Sequence, residues 1–439
     1  MSTTWLPLKF FLEHSIPELF TTNQAVLWKQ SLGSRCTAGS AIYHAALAVG
    51  YAHELFLSTT RLTSDSAQAL EHYQQALTRT NDVISATTTA SRAVYEEVAL
   101  ACVLFICLEL LGGHNEKALY HLEGGLKIVS DLENEGGKDS AIVALSKTFL
   151  DLDLQALAFI GRRPHRRLFY PADDDLQEPP SPESVWGRAD FDDFLMTGHK
   201  QIQKCCYFIQ SEAQEHRYEL KLPSAINEKR VRQLRTLEQW LDAAQYFINA
   251  EHSTIEGMSR PPPGPMQKLL IVLLVTMVKL SCCLSPLESS YDAYEARFFD
   301  ITELAEAILN VHSARPVRKR FTLHCSVVEP LYFTACKCRN SIIRHRAIQQ
   351  LKRAGQQGGW NGSTMAGVAQ EIVELEEKGL DRRRPMVGAS WQYGILDGDR
   401  IHEVSLEFEK EVGLVKASCL VKRGVGSTDW EVMTFETCI

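Results

Sequence analysis

The chain has 439 residues, of which 45% are hydrophobic and 23% are charged. This composition is typical of a globular protein and excludes disordered and fibrous classes. Lysine and arginine number 46 and aspartate and glutamate number 54, so the formal net charge is −8. A free-standing nucleic-acid binder neutralises phosphates with a basic surface. We therefore expect no direct DNA binding from this chain alone.

The sequence also argues against secretion and membrane insertion. The N-terminal stretch MSTTWLPLKFFLEHS contains no apolar run of signal-peptide length. The longest apolar runs, residues 98–108 and 269–278, each supply about half of the roughly 20 residues that a spanning helix needs. Twelve cysteines, mostly in apolar stretches, favour reduced and buried thiols in a nuclear or cytoplasmic protein.

Helical periodicity dominates the N-terminal part of the chain. Apolar residues recur at helical spacing, which predicts four helices at residues 40–57, 66–89, 94–111 and 116–132. Short connections rich in Gly, Asn and Ser separate them. Such a pattern is typical of stacked antiparallel helix pairs.

Two breaks interrupt the helical signal further along. Residues 170–188 are rich in proline and acid and predict a surface loop between two helical halves. The second break is SRPPPGP at residues 259–265. The helical pattern resumes at residues 266–284, 293–312 and 322–353 and, after a glycine-rich loop at 355–363, at 365–378, where Gly379 is placed as a terminator.

The last 40 or so residues change character. The stretches IHEVSLEFE, GLVKASCLVKRG and DWEVMTFETC alternate apolar and polar residues. The sequence thus predicts an all-α fold of stacked antiparallel helices with a small C-terminal antiparallel β meander packed on it. The predicted boundaries are 1–168 for the N-terminal helical half, 169–189 for the acidic Pro-rich loop, 190–390 for the C-terminal helical half and 391–439 for the meander.

Four stretches in this order carry a family resemblance. They are ALACVLFICLELLGGHNEKALYHLEGGLKIV (99–129), LDLDLQALAFIGRRP (150–164), EPLYFTACKCRNSIIRHRAIQQL (329–351) and RIHEVSLEFE (400–409). The chain resembles, over nearly its whole length, the helical regulatory domain of fungal binuclear zinc-cluster transcription factors. Its strongest likeness is to regulators associated with specialised-metabolism gene clusters.

The sequence departs from that family in one respect. Its regulators carry an N-terminal module in which six cysteines bridge two zinc ions. This sequence has no CxxC, and Cys36 is its one cysteine before residue 100. The group Cys325, Cys336 and Cys338 lies in an apolar, helix-like stretch and is interpreted as core. The DNA-reading residues of the family therefore have no counterpart in this sequence.

The resemblance implies a regulatory protein of the nucleus, or alternatively the cytoplasm, that acts by binding a small hydrophobic effector or a protein partner, including a second copy of itself. It implies no cofactor, metal or catalytic residue. One alternative is that the helical shell has become a metabolite-binding or non-standard enzymatic pocket for a hydrophobic natural-product intermediate. A second is an inhibitory dimerisation partner of intact regulators. Candidate pocket aromatics are Trp186, Tyr207, Phe208, Trp240, Tyr332, Phe333 and Trp391.

A basic segment, GRRPHRR at residues 161–167, supplies the candidate ligand-binding residues Arg162, Arg163 and His165. Arginine forks match carboxylates bidentately, so the segment could hold an acidic ligand. The alternative interpretation, which we favour, pairs these arginines with Asp151 and Asp153 at a helix end.

Two further groups are weaker candidates. The sequence DRRRP places Arg382, Arg383 and Arg384 together as a nuclear import signal, although short basic runs often just compensate helix termini. His114 and His121 are seven residues apart and share a helical face, which permits a metal pair, but a hydrogen-bonded or exposed pair is the favoured interpretation.

Cavities and surfaces distinguish these functions. A catalytic or metabolite site requires polar groups that converge in a deep apolar cavity. A regulator that binds proteins requires a packed interior and an exposed apolar patch.

Overall fold

The structure is a computed structural model. It describes residues 5–20, 22–58, 63–86, 91–134, 140–159, 176–185, 188–219, 221–249, 263–312, 319–324, 326–381, 395–409, 414–422 and 430–438. Every structural statement below concerns these residues.

The N-terminal part of the chain is built of helices, and the four predicted ones are confirmed as α4 to α7. Local signals in the sequence set their ends: the Ser40 hydroxyl accepts the Tyr43 N–H at 3.1 Å and caps α4, and Gly113, at φ +64°, ends α6. The helices are α1 (Trp5–Phe10), which continues through a π-helical turn (Phe11–Ser15) into α2 (Ile16–Leu19), then α3 (Thr22–Arg35), α4 (Ala41–Leu57), α5 (Thr63–Ala86), α6 (Arg92–Gly112), α7 (Asn115–Asn134) and α8 (Ser140–Phe159).

The C-terminal helices follow the acidic segment. A 3₁₀ turn at Glu288–Tyr294 joins two of them. They are α9 (Arg188–Phe208), α10 (Gln214–His216), α11 (Ser224–Asn249), α12 (Pro263–Cys282), α13 (Glu295–His312), α14 (Val328–Lys337), α15 (Ser341–Ala354) and α16 (Gly362–Asp381).

The prediction of uninterrupted helix at residues 322–353 is wrong in detail. The segment begins in a strand and then divides into α14 and α15. Asn340 causes the division, because its side chain accepts the N–H groups of Ile342 at 3.0 Å and Ile343 at 3.3 Å and starts a new helix. Gly379 does not end α16, which runs to Asp381.

Two small sheets complete the described fold. The first consists of two-residue strands β1 (Phe321–Thr322), β2 (Gln356–Gln357) and β3 (Trp360–Asn361), the last two inside the predicted glycine-rich loop. The second is the predicted meander, antiparallel in the order β4 (Ile401–Glu409), β5 (Leu414–Lys422) and β6 (Trp430–Cys438). Alternate residues of β5, from Val415 to Val421, are buried against the helices. The all-α fold with a C-terminal meander is thus confirmed.

Apolar side chains form two large clusters. One contains residues from the π-helical turn to α8, together with Phe321 and Leu323. The other contains residues from Val185 to the C-terminal sheet. The domain boundaries given above stay a prediction.

Within the described ranges, α12 is the one helix long and apolar enough to cross a membrane, judged by length and composition. Its residues 264–282 have a mean hydropathy of 1.6, and 61% of that stretch is buried inside the protein. Leu269, Ile271 and Leu273 are completely buried in the second cluster. This degree of burial is typical of a helix in the core of a folded protein.

Candidate functional site

A buried carboxylate lies where the C-terminal sheet meets the helices. Glu288 begins the 3₁₀ turn between α12 and α13 and has no exposed surface. Lys337, at the end of α14, donates from Nζ to Glu288 Oε2 at 2.7 Å, and Arg217, after α10, donates to Oε1 at 2.8 Å. His402 of β4 places Nδ1 3.8 Å from the same oxygen. We call these four residues the Glu288 cluster.

The charges of the Glu288 cluster stabilise one another. Burial opposes ionisation of Glu288, but Lys337 and Arg217 lower its pKa to about 2. Burial also lowers the pKa of His402 to about 4, against the opposite influence of Glu288. Near neutral pH, Glu288 is therefore ionised and His402 is neutral.

A second buried carboxylate holds the same strand. Glu376 of α16 accepts hydrogen bonds from Arg339 at 2.7 Å, from Arg344 at 2.8 Å and from the Ile401 N–H at 2.9 Å. Lys337 adds bonds to the carbonyl oxygens of Ile401 at 3.1 Å and His402 at 2.8 Å. The start of β4 is thus fixed by charged side chains of α14, α15 and α16.

The residue before β4 extends this anchor. Arg400 donates two bonds to the carboxylate of Asp292, at 2.7 and 2.8 Å, in the bidentate arrangement that arginine and carboxylate favour. Its guanidinium also donates to the Ile395 carbonyl. The C-terminal sheet is therefore attached through desolvated charges as well as through its apolar face.

Four exposed apolar residues lie in segments that meet at this junction, and we call them the junction patch. Trp430 is 39% exposed and Val432 is 60% exposed on β6, while Leu287 and Leu396 are 38% and 56% exposed nearby. The Ser289 N–H bonds Asp397 Oδ1 at 2.7 Å and so joins the segments that carry Leu287 and Leu396.

Aromatic and cationic contacts connect the patch to the buried cluster. The Trp430 ring lies 5.2 Å from His402 and 5.1 Å from Tyr218, both in edge-on arrangements. Lys422 Nζ lies 5.7 Å from the Tyr218 ring and 5.9 Å from the Trp430 ring. A partner seated on Trp430 would therefore contact side chains that touch the Glu288 cluster.

Two cavities among the described residues are small. A cleft of about 50 Å³ lies between α6, α7, α8 and β3, beside Trp360 and Gln155. A second cavity of about 10 Å³ lies beside Arg339 and Asp292. Ligand sites commonly enclose about 300–1,000 Å³, so neither cavity accommodates a metabolite as it stands.

The predicted pocket aromatics that the structure describes pack against other side chains. Phe208 and Trp240 lie in the second core cluster, Phe333 packs against Phe298, and Tyr207 donates its hydroxyl to Asp153 at 2.8 Å. Tyr332 lies 5.9 Å from Trp360. Trp186 and Trp391 lie outside the described residues.

His114 and His121 belong to one hydrogen-bonded network. His114 Nδ1 lies 2.8 Å from Glu109 Oε2, and Tyr73 joins Glu109, at 2.7 Å, to His121 Nε2, at 2.9 Å. Burial lowers the pKa of His121. Among the described side chains, no three His, Cys, Asp or Glu residues are grouped as metal ligands.

The candidate residues Arg162, Arg163 and His165 lie outside the described residues, as do Arg382, Arg383 and Arg384, so their roles stay predictions. Their proposed partners are described. Asp151 accepts a bond from His324 at 2.7 Å, and Asp153 accepts bonds from Gln203 and Tyr207.

Sequence reasoning missed the charged residues under the sheet. Arg344 did carry a signal, because it lies on the apolar stripe that includes Ala347, Ile348 and Leu351 of α15, where a cation needs a buried partner. Glu288 carried none, since it stands in the irregular stretch LSPLESS. Packing between distant helical segments brings these residues together, and the C-terminal sheet adds His402 and the Ile401 N–H.

The family model described as fungal specific transcription factor domain matches residues 6–372. The aspercryptin biosynthesis cluster-specific transcription regulator of Emericella nidulans is 28% identical over 134 residues, which cover 28% of this chain and 22% of that protein. No solved structure matches the chain. The match to the family model spans most of the helices, and the chain belongs to the fungal-specific transcription factor domain family.

Proposed function

We propose that the chain is a regulatory protein of fungal transcription that controls a specialised-metabolism gene cluster and works in the nucleus. The observation that carries the proposal is the family match over residues 6–372. The named role of the Emericella nidulans relative supports the link to a biosynthetic cluster, although the aligned part is under a quarter of that relative.

The mode of action that we propose is protein contact. The two cavities described above, of about 10 and 50 Å³, are too small for a metabolite, and the proposal places recognition on the surface. The junction patch supplies exposed aromatic and aliphatic side chains of the kind that anchor protein interfaces.

DNA contact belongs to another segment or another polypeptide in this proposal. The sequence carries a net charge of −8 and no CxxC spacing, so it offers neither phosphate neutralisation nor a closely spaced zinc-thiolate module. The chain would then modulate a DNA-bound regulator rather than read bases itself.

A tethering experiment tests this function. The chain is fused to an unrelated DNA-binding domain in a filamentous fungus with a reporter gene, and the unfused domain is the control. We expect reporter output to change several-fold and a fluorescently tagged chain to accumulate in nuclei. An unchanged reporter, together with unchanged cluster transcripts after gene deletion, would refute the proposal. A rise in those transcripts after deletion would identify the inhibitory role.

A further inference from the structure

The strand β6 forms one edge of the C-terminal sheet. Among the described residues its sole strand neighbour is β5, and the pairing with β5 runs from Trp430 to Cys438 without a register shift. Its sequence WEVMTFETC contains no proline and no lysine. The side of β6 that faces away from β5 thus has no strand partner among the described residues, and such an edge is a template for another strand.

The opposite edge, β4, also lacks proline and lysine and also has β5 as its sole strand neighbour among the described residues, but it differs from β6 in register and carries one glutamate more. β4 has a register irregularity between Ile401 and Glu403, which disrupts regular pairing. It carries Glu403, Glu407 and Glu409, and Glu403 accepts a bond from Gln214 at 3.0 Å. Charged residues and bulges are the devices that protect an edge strand from pairing. The sheet thus has one protected edge and one regular edge.

The regular edge also leaves apolar side chains incompletely covered. Met433 and Phe435 of β6 pack against the core cluster and are half-buried, while Val432 on the other face is 60% exposed. A strand added beside β6 would cover the open sides of Met433 and Phe435.

The sequence of β6 is complementary to itself in the antiparallel direction. When all nine residues pair with a second copy, Thr434 faces its own equivalent, and Met433 of each copy faces Phe435 of the other. Glu431 then faces Thr437, and Glu436 faces Val432. No two carboxylates are opposite, and the Thr–Thr and Met–Phe pairs are favourable neighbours on a sheet.

Other pairings of the strand are less favourable. A parallel pairing in register would place Glu436 opposite its equivalent, and like charges directly opposite are destabilising. Pairing of β6 with β4 of another copy would place it along the three glutamates and the irregular stretch of β4. That contact is also heterologous and would extend without closing, whereas the β6–β6 contact closes with twofold symmetry.

We propose that two copies of this chain associate through β6, antiparallel and centred on Thr434, to form a six-stranded sheet across a twofold axis. The shared ladder extends over nine residues, or about 30 Å. In this register Trp430 of each copy pairs with residue 438 of the other copy. The two junction patches therefore lie at opposite ends of the shared β6–β6 ladder. The contact does not depend on the transcriptional role.

The association is tested by sedimentation velocity of the full chain over a concentration series. A pairing of single strands is smaller than a standard interface, so we expect a reversible dimer with a Kd on the order of micromolar. The exposed Thr434 is changed to Glu or to Lys, which places like charges on the axis. Each variant is expected to raise the Kd at least about tenfold, while circular dichroism stays that of the wild type.

A charge-swap mixture identifies the interface. Equal amounts of T434E and T434K are expected to restore a dimer, because opposite charges then face each other. S405E, an exposed position on the same face of β4, is the matched control and is expected to dimerise like the wild type. A wild type that is monomeric at about 100 µM, or a T434E variant that still dimerises, would overturn the proposal and leave the reporter result unaffected.

Cross-linking provides a second readout. In this register the two T434C side chains face each other across the axis and are expected to form a disulfide-linked dimer under mild oxidation. S405C is the control and is expected to show no more cross-linked dimer than the wild type. Equal cross-linking of T434C and S405C would contradict the register.

Discussion

At the scale of single residues, Glu288 is the negative charge on which two buried cations depend. Removing the charge in Glu288→Gln leaves Lys337 and Arg217 without a carboxylate. An uncompensated buried charge costs about 3–5 kcal/mol. We expect the free energy of unfolding, measured by urea denaturation, to fall by that amount.

The control for this change is Glu54→Gln on the exposed face of α4. Surface substitutions of this kind alter stability by less than about 0.5 kcal/mol. A Glu288→Gln variant as stable as Glu54→Gln would show that the Glu288 cluster contributes nothing to folding.

His402 predicts a dependence of stability on pH. Its pKa of about 4 in the folded chain lies below its ordinary value of 6.5. The unfolded chain therefore binds the proton first, and stability is lost as pH falls from about 6.5 towards 4. Glu288 adds a loss in the same direction at lower pH, between its ordinary value of 4.5 and about 2.

The variant His402→Gln isolates the histidine contribution. Between pH 7 and pH 5 we expect its free energy of unfolding to fall by about 2 kcal/mol less than that of the wild type. The exposed His345 of α15 offers the matched substitution His345→Gln. Identical pH profiles for the wild type and His402→Gln would contradict a neutral, buried His402.

Of the buried charges under the sheet, little was predictable from the chain alone. Arg344 interrupts an apolar stripe. Such an interruption indicates that the arginine has a buried partner, but it does not identify the partner residue. Glu376 lies on a helix rich in glutamate, where its neighbours Glu374 and Glu377 are more exposed. The sequence offers no means of choosing the buried one, because the choice depends on how α16 packs against α15 and against the C-terminal sheet.

At the scale of elements, two adjacent glycines of α7 predict opposite outcomes. Gly124 is exposed and has no atom within 4 Å of the position that a Cβ would take. Gly124→Ala is therefore expected to raise the midpoint of urea unfolding, with a gain of roughly 0.5–1 kcal/mol. At Gly125 a Cβ would overlap the Phe149 ring. Gly125→Ala is expected to cost about 1–3 kcal/mol, and equal effects would contradict the packing of α7 on α8.

Helices with a strong apolar stripe were predictable, and the breaks between short elements were less so. The residues of α4 and α6 follow helical periodicity closely, and their ends lie within two residues of the prediction. The division at Asn340 was missed because the apolar pattern continues through Cys336 and Cys338. A side-chain cap of two N–H groups outweighed that pattern. The strands β4 to β6 were predictable from alternation alone.

At the scale of the whole molecule, one short segment joins the two core clusters. Leu323 donates its N–H to the Leu19 carbonyl at 3.0 Å and accepts a bond from Gln155 at 2.9 Å. Phe321 packs against Phe56 with ring centres 5.9 Å apart. The link between α13 and α14 thus completes the N-terminal core, a long-range contact that no local pattern in the sequence predicts.

The C-terminal sheet also contacts helices that are distant in the sequence. It does so although it lies beyond residue 372, where the family match ends. A chain that ends at Asp381 lacks Arg400, Ile401 and His402, so Asp292 and Lys337 lose bonding partners. It also exposes the helix surface that Val415 and Ala417 cover. We expect the Tm of the helical circular-dichroism signal to fall by on the order of 10 °C.

Addition of a peptide of residues 395–439 is the control for this truncation. If the sheet stabilises the helices through its specific contacts, the peptide restores part of the lost Tm, and a peptide with Arg400→Gln and His402→Gln restores less. A truncated chain that melts at the wild-type temperature would instead make the sheet an independent appendage.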